Sequence, residues 1–169
     1  MIYNFFRKIA KIIFNYKLKK INSLKGIHAG ETCYLMGTGS SIKEMDIRLF
    51  DNKPVIGLNE IIFHKDFNNL KKKYLVLTEP YIFYPFYTKF FWKGTLFPIF
   101  NPSSKIFKKM AKENKDIQFF IHLSNLFFLN GKNIFYNFLK DPHPKFPAKL
   151  NDLNCFKASF THGLSLAVF

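Results

Sequence analysis

Thr32-Cys33-Tyr34-Leu35-Met36-Gly37-Thr38-Gly39-Ser40-Ser41-Ile42-Lys43-Glu44 sets an apolar run, a small-residue turn and a helix start in one short stretch. Tyr34, Leu35 and Met36 suit a buried strand, while Gly37 and Gly39 permit a tight turn and close approach of a ligand to the backbone. Ser41-Ile42-Lys43-Glu44 matches a capping box, in which the Ser41 hydroxyl accepts from the N3 amide and Glu44 accepts from the Ser41 amide. The stretch therefore predicts strand, loop and helix, with the free amides of a helix N-terminus facing Gly37, Thr38, Gly39 and Ser40. That is a favourable place for phosphate. An ordinary βα turn uses the same residue types, so both readings stand at this point. Two better-known phosphate loops are excluded. A P-loop needs Lys-Ser/Thr after its last glycine, and the dinucleotide fingerprint needs a third glycine where Ile42 stands.

Downstream, Asp51-Asn52-Lys53-Pro54 reads as a turn and Val55-Ile56-Gly57-Leu58 as a short buried strand ending at Asn59-Glu60. A second strand in such a unit runs parallel to the first, so Asn59 and Glu60 emerge at the same carboxyl edge as the glycine loop. A side chain there can reach a ribose or base, although an Asn also commonly ends a strand. Tyr74 to Pro80 predicts a third strand and Ile117 to His122 a fourth. Asn130 to Asn137 is a weaker strand signal, and Ser103 or Ser104 can cap a helix running to about Asn114. The alternation predicts an α/β fold: a Rossmann-like parallel sheet flanked by helices.

Other stretches carry less chemistry. Lys71-Lys72-Lys73 reads as a solvated face, and the aromatic stretch Tyr81 to Trp92 as an irregular lid or core-covering segment rather than a base-stacking platform. Asp141 to Pro147 is a proline-rich loop in which His143 could be catalytic but, as one His beside two prolines, is expected to be merely exposed. Ser159 or Thr161 starts a last helix that is apolar at nearly every later position. A domain seldom stops inside a buried helix, so the chain is expected to be part of a longer protein.

At 169 residues the chain suits one domain, and 23 Phe with 8 Tyr supply ample core material. The net charge of +15 suggests an anionic partner, but Arg7 and Arg48 are the only arginines. Nucleic-acid readers draw on Arg for bidentate contacts, and an AT-rich coding bias produces the same Lys-rich composition, so no nucleic-acid partner is expected. Cys33 and Cys155 fit a reducing cytoplasm without disulfides. The five histidines, His28, His64, His122, His143 and His162, lack metal-ligand spacing, so no metal is expected.

Ile2, Phe5, Phe6, Ile9, Ile12, Ile13 and Tyr16 recur at helical spacing among Arg7, Lys8, Lys11, Lys17, Lys19 and Lys20. Residues 1–22 thus predict a basic amphipathic helix, 23–30 a linker, and 31–169 a nucleotide-binding domain incomplete at its C-terminus. The helix can lie on an anionic membrane surface or pack on the domain, and its lysines favour the membrane. Charges interrupt every window long enough to span a bilayer, which excludes a transmembrane helix. A cytoplasmic protein is the expectation, with peripheral contact at the inner membrane as an option that the helix leaves open.

Gly37-Thr38-Gly39-Ser40-Ser41-Ile42, Gly57-Leu58-Asn59-Glu60 and Phe160-Thr161-His162-Gly163-Leu164-Ser165-Leu166-Ala167 resemble, in order and spacing, the bacterial sialyltransferases of glycosyltransferase family 42. They are also similar to 6-hydroxymethylpterin pyrophosphokinase-like and motility-accessory proteins of the same Rossmann-type fold. The resemblance implies a nucleotide-sugar pocket, a CMP-linked sugar first among donors, with no further cofactor. Gly37, Thr38, Gly39, Ser40 and Ser41 would lie near phosphate and ribose, Asn59 and Glu60 near the nucleotide, and Thr161, His162 and Gly163 near the donor phosphate or sugar. Ser40 stands where the family has Pro, and His162 where Ser is usual. The family's general-base His lies downstream of its third motif, so no catalytic residue is assigned.

The resemblance thus implies a glycosyltransferase-like protein of surface polysaccharide or lipooligosaccharide synthesis, acting on a glycan or lipid-linked acceptor. Two alternatives are magnesium-dependent diphosphate transfer, as in the pterin branch, and a non-catalytic membrane-associated domain.

Overall fold

The computed structural model describes Ile9 and residues 12–79, 82–92, 95–137 and 159–168. Among them five strands form an all-parallel sheet: β1 (Tyr34–Met36), β2 (Val55–Leu58), β3 (Lys73–Leu77), β6 (Gln118–His122) and β7 (Ile134–Asn137). Their order across the sheet is β1-β2-β3-β6-β7. The α/β, Rossmann-like parallel sheet is therefore the observed fold.

Strand order follows chain order without reversal, so right-handed crossovers must all lie on one face. The side chains agree. Met36, Val55, Leu75, Leu77, Phe119, Ile121, Ile134 and Tyr136 pack with Ile47, Ile61, Ile62, Phe67, Phe83, Phe107 and Leu123 of the crossovers. Alternate strand residues Leu35, Ile56, Leu58, Val76, Phe120 and Phe135 face the other way, onto Ile21, Leu24 and Leu166. Two separate elements cover that second face. One is the 3-10 turn Lys20–Leu24, which follows α1 (Asn15–Lys19), and the other is α3 (Ser159–Ala167).

The first crossover departs from expectation. The capping box does not form: Ser40–Glu44 is a 3-10 turn behind Gly39 with no side-chain cap, followed by a second 3-10 turn, Ile47–Phe50, that Asp46 caps through the Arg48 amide. Ile42, Ile47 and Phe50 turn inward from these two short turns, and the exposed Met45 and Asp46 stand between them. In the third crossover Asn101, not Ser103 or Ser104, caps α2 (Pro102–Glu113) by accepting from the Ser104 amide at 3.2 Å. Pro102 at the first helical position supplies the preset φ, and the Ser104 hydroxyl donates instead to the Phe83 carbonyl at 2.9 Å.

The aromatic stretch covers the core at Ile82 and Phe83, but from Phe86 it is not irregular. It forms an antiparallel ribbon of β4 (Phe86–Trp92) and β5 (Thr95–Phe100), with a register shift between Thr88 and Phe91. Nor is the lysine run uniformly solvated. Lys73 is buried, with Nζ 2.6 Å from Asp116 Oδ2 and donating to the Asn68 carbonyl, while Lys71 pairs with Asp51 and Lys72 with Glu31. His143 and the loop Asp141 to Pro147 lie outside the described residues.

The N-terminal segment is docked on the domain from Phe14 onward. Phe14 and Leu18 pack on the crossover-face core, and Ile21 on the other. Lys20 Nζ donates to the carbonyls of Gly131 and Ile134 at 3.2 and 2.9 Å, occupying part of the edge of β7. The stretch Ser23 to Gly30 is no extended linker. It turns twice on Gly26 and Gly30, at φ +71° and +81°, values that glycine alone adopts without strain.

Candidate functional site

All five parallel strands end at one edge, and four of them end in a polar side chain: Asn59 after β2, Thr78 after β3, His122 at the end of β6 and Asn137 at the end of β7. At the end of β1 stand Gly37, Thr38 and Gly39. The edge therefore gathers hydrogen-bonding groups that the chain supplies from five separate segments.

The start of α3 is tied to this edge. Ser159 Oγ lies 2.9 Å from Asn59 Oδ1 and 2.7 Å from Thr78 Oγ1. With Ser159 donating to Asn59, Thr78 donates to Ser159, and the Asn59 oxygen is engaged. The group that Asn59 has left to offer a ligand is its amide nitrogen, a donor. Asn59 also sits at φ +52°, the one non-glycine residue with positive φ among the described residues. Asn tolerates this region better than most side chains, and strain of this kind concentrates at functional sites. One helical turn further, His162 Nε2 lies 3.2 Å from Asn137 Nδ2. The His162 side chain is fully buried, and its pKa is pushed down to about 3, first by burial and then by nearby His122. At neutral pH it is an uncharged imidazole inside the α3–sheet contact.

Gly163 belongs to the same contact. A Cβ built there would stand 2.4 Å from Leu35 Cδ1 and 2.9 Å from Leu58 Cδ2, so the bare backbone lets α3 lie flat on β1 and β2. The resemblance implies donor contacts for Thr161, His162 and Gly163. The structure places His162 and Gly163 in packing beneath the edge, and Thr161 enters only as a helical residue.

The glycine loop behaves oppositely. Gly37 has nothing within 4 Å of a built Cβ, and Gly39, at φ −59°, has only Ser41 Oγ at 3.9 Å. Neither backbone conformation nor packing demands glycine at Gly39. The loop flanks a cavity of about 320 Å³ lined by Tyr34, Met36, Gly37, Gly39, Ser41 and Phe50 among others. That size is at the lower end for small-molecule sites. Thr38, Ser40, Ser41 and Glu60 are exposed.

Behind the edge a buried polar frame holds the loop after β3. Asn125 Oδ1 accepts from the Phe83 amide at 3.2 Å, and its Nδ2 donates to the carbonyls of Glu79 and His122, each at 3.3 Å. Sequence reasoning missed Thr78, Asn125, Asn137 and Ser159. The signal available was that nearly every expected strand ended in a polar residue. A second cavity, of about 310 Å³, opens at the opposite, amino edge between Ile56, Tyr74, Phe120 and Leu166, where His28 bridges Glu31 and Tyr74. The His28, Glu31 and Tyr74 side chains there are engaged with one another. Among the described residues no group of three or more His, Cys, Asp or Glu stands close enough to hold a metal ion.

Comparison with protein-family models, with curated proteins and with solved structures returns no match.

Proposed function

We propose that the chain binds a nucleotide-activated sugar, a CMP-linked one first, at the carboxyl edge of its sheet, as a glycosyltransferase-like protein of the sialyltransferase type. The observation that carries this reading is the glycine loop: Gly39 is required by neither fold nor backbone, and with Gly37 it borders a cavity large enough for a small ligand. Small residues beside open space let phosphate oxygens approach loop amides, the interaction that phosphate binding needs. Asn59, its oxygen held by Ser159, contributes an amide donor to a ribose, phosphate or base acceptor.

The proposal assigns the chain donor binding and no general base. His162 is neutral and buried, and His122 is half-buried beside it. A glycan or lipid-linked acceptor, and a role in surface polysaccharide or lipooligosaccharide synthesis, follow from the motif resemblance and belong to the proposal.

The test is a thermal-shift titration with CMP, CDP, UDP, GDP and ATP, each with and without magnesium. Binding to the native state alone raises the melting temperature by mass action. The reading predicts metal-independent stabilisation by the cytidine nucleotides. Stabilisation by ATP only with magnesium would replace it with diphosphate transfer, and a cooperative melt that no nucleotide moves would refute both.

A further inference from the structure

We infer that a face built jointly by the N-terminal helix and the turn after β6 docks on an anionic lipid bilayer. This inference stands on surface composition and is independent of the nucleotide site.

The Phe14 and Phe127 rings meet edge to face at 6.2 Å, which brings α1 and the turn Leu123–Phe127 side by side from distant parts of the chain. Phe14 and Leu18 turn into the core, but their neighbours do not: Ile12, Ile13 and Tyr16 are 77%, 59% and 67% exposed. On the turn, Phe127 is 82% exposed and Phe128 also reaches solvent. These are large apolar groups on two adjoining elements, and grouped exposed apolar side chains mark interaction surfaces. The turn is firmly held. Tyr84 packs on Phe128 at 4.5 Å and donates to the Ser124 carbonyl at 3.2 Å. Phe127 is thus displayed by an anchored backbone.

Charge selects the partner. Residues 1–30 and 117–140 contain no Asp or Glu, so every fixed side-chain charge on these two segments is positive. Lys17 Nζ lies 5.4 Å from the Tyr16 ring centre, and Lys108 of α2 lies 5.3 Å from that of Phe128. Lysines bordering exposed apolar groups are the arrangement of an interfacial surface, in which apolar side chains enter the acyl boundary and ammonium groups meet anionic headgroups. A nucleic acid fits less well, because the described residues of these two segments carry no Arg for bidentate contacts, and the exposed Ile12 and Ile13 offer no flat face for a base.

The experiment is co-sedimentation of the full chain with phosphatidylcholine vesicles, with and without about 30% phosphatidylglycerol, where each basic residue near the anionic surface adds to binding. The variant is Phe127→Ser with Phe128→Ser. The chain should sediment with the anionic vesicles and not the neutral ones, and the double substitution should lower partition about tenfold or more. Should the double variant fail to fold, Phe127→Ser alone carries the test, since that side chain is almost fully exposed. In Phe127→Trp, brominated lipid should quench emission beyond the quenching of Trp92 in the parent chain. Undiminished sedimentation of the folded serine variant would overturn the inference. So would equal binding of the parent to neutral vesicles, or serine substitutions that weaken binding to a random oligonucleotide but not to vesicles.

Discussion

Gly37 and Gly39 at the end of β1 look in the sequence much like Gly57 and Gly163, yet the structure uses them in opposite ways. A Cβ at Gly57 would stand 2.3 Å from Ile61 and under 3 Å from the fully buried Phe67 ring, and one at Gly163 would strike Leu35 and Leu58. The first pair borders a cavity and meets almost nothing. Glycine is thus kept at Gly57 and Gly163 by the core, whereas no part of the fold explains Gly39. A residue unexplained by the fold is where a ligand becomes the better account.

The sharpest break of this contrast is Gly57→Val. Overpacking against a rigid buried ring should cost about 3 kcal/mol or more, read as a lowered urea midpoint. Gly163→Val should fall somewhat lower, because the ends of two leucines can shift.

The α3 contact that Gly163 permits also carries a pH signature. His162 has a folded pKa near 3 against an ordinary 6.5, so below about pH 6.5 the unfolded chain takes a proton that the folded chain refuses. Stability should fall with decreasing pH by up to about 1.4 kcal/mol per unit through this window. Glu31, held low chiefly by hydrogen bonds from Lys72 and His28, and Asp46, held chiefly by Arg48, both near 2, contribute stability that is lost only below their unfolded values near 4. Chemical denaturation between pH 6.5 and 5 therefore separates the histidine from these carboxylates, and His162→Gln should flatten the slope. A slope that persists in that variant would place the titration elsewhere.

Ser159→Ala removes the hydroxyl joining Asn59 to Thr78 and should cost about 1 kcal/mol, with weaker nucleotide binding as Asn59 loses its fixed orientation. At the small end stands Gly39→Val, which the space around the loop predicts to change stability by less than about 0.5 kcal/mol.

Much of the frame was legible because buried parallel strands announce themselves as short apolar runs, and β1, β2, β3 and β6 stand close to where those runs lie. The first crossover differs from the expectation because Ser41 and Glu44 carry a local helix signal, while Asp46 starts a separate turn by accepting from the Arg48 amide. The packing role of Gly163 was not legible, because a motif cannot show which side of a helix meets a sheet. The Thr78–Ser159–Asn59 chain was invisible for a different reason: its partners are 81 and 100 residues apart, so only the assembled edge brings them together. The spacing of the N-terminal helix allows it to pack on the domain or lie on a membrane. The structure packs its Phe14 and Leu18 inward and leaves Ile12, Ile13 and Tyr16 exposed.

The most direct test is an isothermal titration of CMP into the parent chain and into Gly39→Val, after both are shown to melt alike. A ligand lying against the loop backbone should bind the parent without magnesium and lose about tenfold or more of its affinity in the valine variant. Equal affinity in two equally stable proteins would contradict the claim that the loop is the phosphate site.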